Sequence, residues 1–518
     1  MLTYHGCIKQ QRVISVNVGY PEIPNGTDLT NRELSSQWKS IDWSTVSETI
    51  SNLQSRLARA AKNCNWFKVR KLIRLLKRSH HAKLLSVKIV TENKGSKTPG
   101  IDGIIWTSAA DKMKAAYSLT DKGYKAKPLK RVYIPKKNGK MRPLSIPTMY
   151  DRAMQTLYAL AMSPIEVSTG DLTSYGFRKF RSTKDAYAYM RICLSRKNSA
   201  EYILEGDIKS CSDMISHDWL LNNVPIKKSI LTQFLKAGYF ENGRLFPTDK
   251  GAPQGGPLSP ILANMVLNGL EAELGRNFYA QKDGQINKKS CNKHKINYTR
   301  FADDFVVTAD SEDPLLKAKE IISIFLEQRG LSLSDEKTTI THISNGFDFL
   351  GWNFRKYNGT LLGKPSKGSQ KSVIQNIREI IHQGRTWSQD RLIATLNPII
   401  RGWSLYHKHA VSSDVFSRLD HTLWCMLYAW AKRRHQNKGK KWISHRYWHK
   451  IRNRAWTFAT GKLILVSFSN TKIERFMMAR LDKNPYLDKE YFEEWRERRR
   501  NFFPSTRQST LEQFLADT

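Results

Sequence analysis

Apolar residues recur at three-and-four spacing between Trp43 and Val90: Leu53, Leu57, Ala60 and Ala61, then Val69, Leu72, Ile73 and Leu76, set among arginines and lysines. That period lines one face of a helix, so the spacing predicts a basic helical extension over residues 41–104. Residues 1–40 are polar and broken by Pro21, Pro24, Asn25 and Gly26, which predicts a loosely ordered arm. A Gly/Pro-rich turn at 97–103 leads into a different pattern. Short β-rich runs at 131–135, 202–208 and 305–308 alternate there with longer helical stretches, and a mixed α+β region is expected over 105–365. SerLysGlySerGlnLysSer at 366–372 reads as a linker. Beyond it Trp403, Tyr406, Trp424, Tyr428 and Trp430 fall at helical intervals, so a helical unit is expected over 366–460. Residues 461–518, with a β-like run at 462–468 and a charged helix near 491–500, form the expected basic, DNA-binding-like or accessory tail.

Charge narrows the partners. The chain has 518 residues, with 85 Lys and Arg against 46 Asp and Glu, a formal net charge of +39. That excess suits a long polyanion. Cations stand beside aromatic rings, as at 445–450 (HisArgTyrTrpHisLys), a pairing that serves unpaired bases and phosphates together. The six cysteines are scattered singly, so neither a zinc site nor a disulfide framework is expected. No run approaches the roughly 18 apolar residues of a membrane span. A bacterial cytoplasmic setting is expected, an organellar origin being left open, with no membrane partner.

The candidate chemistry lies in two acidic signals. TyrThrArgPheAlaAspAspPheValVal at 298–307 sets Asp303 and Asp304 side by side between two β-type runs, and LeuGluGlyAspIleLys at 204–209 ends an apolar strand in Asp207. Adjacent acids repel unless a cation sits on them. Two-metal phosphoryl transfer needs about three carboxylates of this kind. Each signal alone is also compatible with an ordinary turn or strand end.

Taken in order, a longer series resembles the motifs of group II intron reverse transcriptases. It comprises ThrProGlyIleAspGly (98–103), TyrIleProLysLysAsnGlyLysMetArgProLeuSerIlePro (133–147), TyrGlyPheArgLysPheArgSerThr (175–183), GlyAspIleLys (206–209), GlyAlaProGlnGlyGlyProLeuSerPro (251–260), PheAlaAspAsp (301–304), LeuSerLeuSerAspGluLysThr (331–338), PheAspPheLeuGlyTrp (347–352) and LeuAsnProIleIleArgGlyTrp (396–403). The resemblance covers about residues 40–460. It implies an α+β right-hand polymerase, with fingers and a palm built on an antiparallel sheet, followed by an α-helical thumb or X domain. It further implies an RNA-directed DNA polymerase that binds its group II intron RNA, assists its splicing and copies it into DNA. Asp207, Asp303 and Asp304 would hold two Mg2+ ions. Lys136, Arg142, Ser212 and Gln254 would meet the deoxynucleotide triphosphate, while Gly255 and Gly256 let the backbone approach the template and base. Phe349, Leu350 and Gly351 would grip the primer, and Arg401, Lys432, Arg433, Arg434, Lys440 and Lys441 would bind RNA. A DNA target or primer is the further partner.

Two positions depart from the family pattern. Ser212 stands five residues after Asp207, where the family places an aromatic ring against the ribose 2′-hydroxyl, and Phe301 stands where a tyrosine is usual. Neither CxxC pairs nor a His-Asn-His constellation follows residue 460, so no DNA endonuclease module is expected. His421, His435, His445 and His449 are expected to pack or touch RNA rather than hold metal. Two other readings stay open: a splicing factor with a weakened polymerase site, and a domesticated reverse transcriptase serving host repair or defence.

Overall fold

The computed structural model describes residues 29–502 apart from 136–138, 140, 452 and 453, with the backbone alone at 501–502. Four helices, Asn31–Lys39, Trp43–Lys62, Trp66–Arg78 and His80–Glu92, pack with Ala109–Ser118 and the long helix Met149–Thr169. The apolar stripe read from the sequence is the buried one: Leu57, Ala61, Val69 and Leu76 are fully enclosed. The first helix begins inside the stretch expected to be a loose arm. Thr30 caps it by accepting from the Glu33 N–H, while the Glu33 carboxylate accepts from the Thr30 N–H. The rest of that arm, 1–28, lies outside the described residues.

Two four-stranded sheets carry the middle of the chain. One joins Met141–Ile146, Leu129–Pro135, Tyr239–Glu241 and Arg244–Phe246 in that spatial order. The other runs Asn297–Phe301, Asp304–Ala309, Tyr202–Gly206, Thr339–His342 and is antiparallel throughout. Alternation along its strands explains how it sits in the molecule. Leu204, Phe305 and Val307 face the large core built with the N-terminal helices. Ile203 and Val306 point the other way, into a second core with Tyr187, Met190, Trp352 and Phe354. A sheet covered on both faces has its edges and strand ends left for chemistry, and all three candidate acids lie at one strand end or turn.

A three-stranded meander, Phe347–Phe349, Trp352–Tyr357 and Thr360–Pro365, leads to the C-terminal helices. The expected linker at 366–372 is instead the start of the helix Lys367–Gln383. Ser366 is its cap, accepting from the Ser369 N–H at 3.1 Å, and burial of Val373, Ile377 and Ile381 overrides the polar first turn. This helix, with Gln389–His407, Ser413–Arg434 and Lys440–Tyr447, encloses a separate core of Leu392, Leu396, Ile400, Phe416, Leu423 and Leu427.

The C-terminal segment is not a free tail. Among the described residues its β-like run pairs only through an Ala459–Ile464 bridge. The chain then returns to the body: Arg181 donates to the carbonyls of Ala479 and Arg480, Asn484 donates to Ser168 Oγ, and Tyr486 bonds Ser163. The last helix, Lys489–Phe502, sets Phe492 and Trp495 against Ala479 and Phe180. Among the described residues no helix is long and apolar enough to cross a membrane.

Candidate active site

Asp207 follows directly from the buried strand Tyr202–Gly206, and a glycine precedes it for a steric reason. Gly206 lies opposite Phe305, and a Cβ there would be driven into the phenyl ring. Asp303 and Asp304 come from the hairpin between Asn297–Phe301 and Asp304–Ala309, whose two-residue turn holds Ala302 at φ 58°. The turn is braced from behind. Arg300, fully buried, donates to Asn268 Oδ1 at 2.7 Å and to the Ala302 carbonyl at 3.4 Å, and Asn264 donates to the Gly176 carbonyl. A Cβ at Gly176 would come within 2.5 Å of the Ala302 nitrogen, so the 175–178 turn sits flush on the hairpin.

The segment 331–338 supplies the fourth group at the acids. Ser334 N–H donates to the Asp207 carbonyl, Lys209 N–H donates to the Ser332 carbonyl, and Lys337 Nζ then lies 2.7 Å from Asp207 Oδ2. Asp304 is pushed up to about 6 by burial, then by the charges of Asp303 and Asp207, with Lys337 opposing. Contact with Asp207 raises Lys337. The array is thus short of positive charge. Among the described residues no three acid, histidine or cysteine side chains form a complete metal cage. The cation against Asp207 is the Lys337 ammonium.

Asp303 faces a cleft of about 440 Å³ that also takes in Arg142, Ser212, Gln254, Asn93 and Phe177. Arg142 Nε donates to Gln254 Oε1 at 3.0 Å, and Gln254 Nε2 donates to Asp213 Oδ1 at 2.9 Å, which links the strand Met141–Ile146 to the short helix Cys211–Met214 along the cleft. Gly255 and Gly256 serve packing within the chain. A Cβ at Gly255 would meet the Ser145 carbonyl at 2.6 Å, and one at Gly256 would strike the Gln155 side chain. Ser212 lines the wall as a small residue, while its carbonyl accepts from the Ala252 N–H. Lys136 lies outside the described residues.

A second cleft, of about 250 Å³, joins Asp207, Asp304 and Lys337 to Asp348, Phe349 and Leu350. Leu350 and Gly351 turn the hairpin with φ of 51° and 85°, and Tyr406 donates to the Leu350 carbonyl at 2.8 Å. Glu205 at its base is pushed up to about 7 by burial and by Asp348. The expected RNA-binding residues lie elsewhere, on the C-terminal helices. Arg401, Lys432, Arg433, Lys440 and Lys441 are exposed. Arg434 is already engaged, donating to the Arg385 and Trp387 carbonyls and lying 4.6 Å over Trp430. His435 bonds Tyr447 and His445 bonds the Lys441 carbonyl. Lys337, Asp213, Asn93 and Phe177 escaped the sequence reading as site residues, although Lys337 and Phe177 stood inside quoted motifs.

Residues 134–354 match the reverse transcriptase (RNA-dependent DNA polymerase) family, residues 38–119 the N-terminal domain of reverse transcriptase, and residues 370–448 the group II intron maturase-specific domain. Protein YkfC of Escherichia coli (strain K12) is 30% identical over 359 residues, spanning 63% of this chain and 92% of that protein. The chain belongs to the group II intron reverse transcriptase and maturase family. The group II intron-encoded protein LtrA of Lactococcus lactis subsp. cremoris is 29% identical over 62% of this chain and 63% of its own length. A telomerase structure from Candida albicans aligns over 64% of this chain and 67% of its own, at 13% identity and a TM-score of 0.36. The maturase match falls on the helical unit with its own core, the polymerase match on the two sheets and the acids. The enzyme class is RNA-directed DNA polymerase, and its family is divalent-metal dependent and works on intron RNA.

Proposed function

We propose that the protein extends a DNA primer on an RNA template at the junction of the two clefts, and that its helical unit holds the parent intron RNA and assists its splicing. The carrying observation is the convergence of Asp207, at the end of one strand, with Asp303 and Asp304, on the hairpin beside it, between Arg142 and Gln254 on one side and Phe349 and Leu350 on the other. Asp207, Asp303 and Asp304 would hold two Mg2+ ions: they do not stand as a ready ligand set, but they form an under-neutralised carboxylate array that already draws in a lysine. When bound, such ions lower the pKa of the primer 3′-hydroxyl and offset charge on the leaving pyrophosphate.

The chain's own groups account for the rest. Arg142 offers a planar fork to triphosphate oxygens, which suits it better than a point charge would, and its bond to Gln254 holds that fork at the mouth of the cleft. Lys136 is proposed for the same triphosphate from its place in the motif alone. Lys337, now 2.7 Å from Asp207, would supply a further cation beside the acids for the pyrophosphate. The turn at Phe349 and Leu350 would meet the primer end, held by the Phe349 ring packed in the second core and by Tyr406 from the helical unit. The exposed cations Arg401, Lys432, Arg433, Lys440 and Lys441 are proposed to contact the intron RNA, and a DNA target supplies the primer.

The test is primer extension on an RNA template with purified protein and magnesium, beside splicing of the cognate intron. Extension with splicing is the expected result. Splicing without extension leaves a splicing factor, and extension without any effect on an intron leaves a domesticated polymerase.

A further inference from the structure

Away from both clefts, the returning C-terminal segment closes a third, of about 240 Å³, lined by Lys184, Lys408, His409, Glu474, Phe476, Arg496, Arg499 and Arg500. Four parts of the chain meet there: the start of the helix Thr183–Leu194 on the palm side, the residues just after the helix Gln389–His407, the stretch 474–476, and the final helix Lys489–Phe502. Five cations face one carboxylate. That carboxylate is already used, because Glu474 accepts from Lys408 at 2.7 Å with both side chains only 5% exposed. His409 adds no charge, since burial holds it down at about 4. Two further acids lie nearby: Asp185 accepts from the Ser182 N–H and hydroxyl in capping its helix, and Glu497 lies 3.8 Å from Arg500.

Lys184, Arg496 and Arg499 are left without a carboxylate within 4.0 Å among the described residues. Arg499 lies over Phe476 and Trp495, 5.0 and 4.7 Å from the ring centroids, which restrains its guanidinium. Lys184 is half-buried at the start of its helix, where the peptide dipoles add further positive potential. Burial, Lys408 and Arg499 push it down to about 8, with Glu474 and Asp185 opposing. Exposed surface lysines cost nothing when alone; half-buried cations in a cluster that outnumbers the acids beside it, as Lys184 and Arg499 are here with Asp185 and Glu474 opposing, are unfavourable until a further anion joins them. A rigid arginine fork beside lysines matches tetrahedral phosphate oxygens better than it matches a single carboxylate.

We propose that this cleft is a phosphate-binding site, distinct from the polymerase clefts, in which the ligand clasps the C-terminal segment to the palm and the helical unit. The phosphate comes either from a nucleic-acid backbone lying across the seam or from a free polyphosphate. Full-length protein is titrated with pyrophosphate, and separately with a short single-stranded RNA, following thermal stability and binding. The variants are Lys184→Gln/Arg499→Gln, the exposed pair Arg496→Gln/Arg500→Gln, which leaves the packing in place, and a charge-matched control on another face, Lys114→Gln/Lys122→Gln.

The expected result is a saturable rise in melting temperature with phosphate ligand for wild type and control, and at least a tenfold weaker dissociation constant for both cleft variants. If pyrophosphate saturates and the RNA does not compete with it, the natural ligand is a free polyphosphate. If the RNA competes, and its affinity depends on salt less steeply in the cleft variants by about 0.7 in the log–log slope for each phosphate lost, the ligand is a strand. Cleft variants that respond to both ligands as the charge-matched control does overturn the proposal.

Discussion

The palm and the helical unit that follows it use charge in opposite ways. In the palm, the charged groups at the site are few and placed by backbone: Asp207 at a strand end beside Gly206, and Asp303 and Asp304 on a hairpin backed by the buried Arg300. On the helical unit, Lys432, Arg433, Lys440 and Lys441 are exposed, and their positions follow only from lying on or beside helices. The difference teaches that losing one palm acid should be decisive, whereas each surface cation should count as one increment in a sum. Low dielectric and fixed geometry produce the first behaviour, solvent screening the second.

The largest effect is expected from Asp207→Asn or Asp303→Asn. Each should lower primer extension by about a thousandfold or more, on the order of 4 kcal/mol in the barrier, with RNA affinity changed less than about twofold. Single-turnover extension and filter binding measure the two sides, and near-wild-type extension would show that the acids do not hold the metal.

The surface cations should instead show in the salt response. Intron RNA binding by the wild type should weaken by about a thousandfold or more between 50 and 200 mM salt if six to ten phosphates are engaged. Neutralising Lys432, Arg433, Lys440 and Lys441 together should reduce the log–log slope by about 3 and impair splicing more than extension of a short generic primer. Equal loss of both activities would move that cluster onto the primer duplex and erase the contrast between the regions.

A third change asks whether the palm's enclosure is structural as well as chemical. Arg178→Met strands the carboxylate of Glu166, a pair now at 2.7 Å with both side chains at most 5% exposed. Destabilisation of about 3 to 5 kcal/mol is expected in chemical denaturation, whereas Arg433→Met should cost less than about 0.5 kcal/mol.

The smallest effect concerns the wall of the nucleotide cleft. Ser212→Phe should raise the preference for deoxynucleotides over ribonucleotides by about ten to a hundredfold, a steric term of roughly 1.4 to 2.8 kcal/mol. Matched single-nucleotide incorporation reads it. If the wild type already discriminates strongly and the variant does not change that, another group guards the sugar, and the exposed Phe177 ring, held at φ 59° in the same cleft, is the one to replace next.

Much of this was legible in the chain itself because the signals were local. The helical stripe around Leu57 and Val69, the β-runs, the paired acids and the motif order each depend on residues close in sequence, where period and side-chain type directly determine which face is apolar. The linker at 366–372 was misread for a related reason: its polar residues are compatible with a loop, and only the enclosure of Val373 and Ile377 by distant helices makes it a helix. Tertiary structure alone decided what meets across long separations. It brought Lys337 to Asp207, linked Arg142 through Gln254 to Asp213, and returned the basic C-terminal segment to Arg181 and Lys408. Those contacts join residues tens to hundreds of positions apart, and no local pattern encodes them. They arise when burial of the sheet's two faces fixes where each strand end must lie.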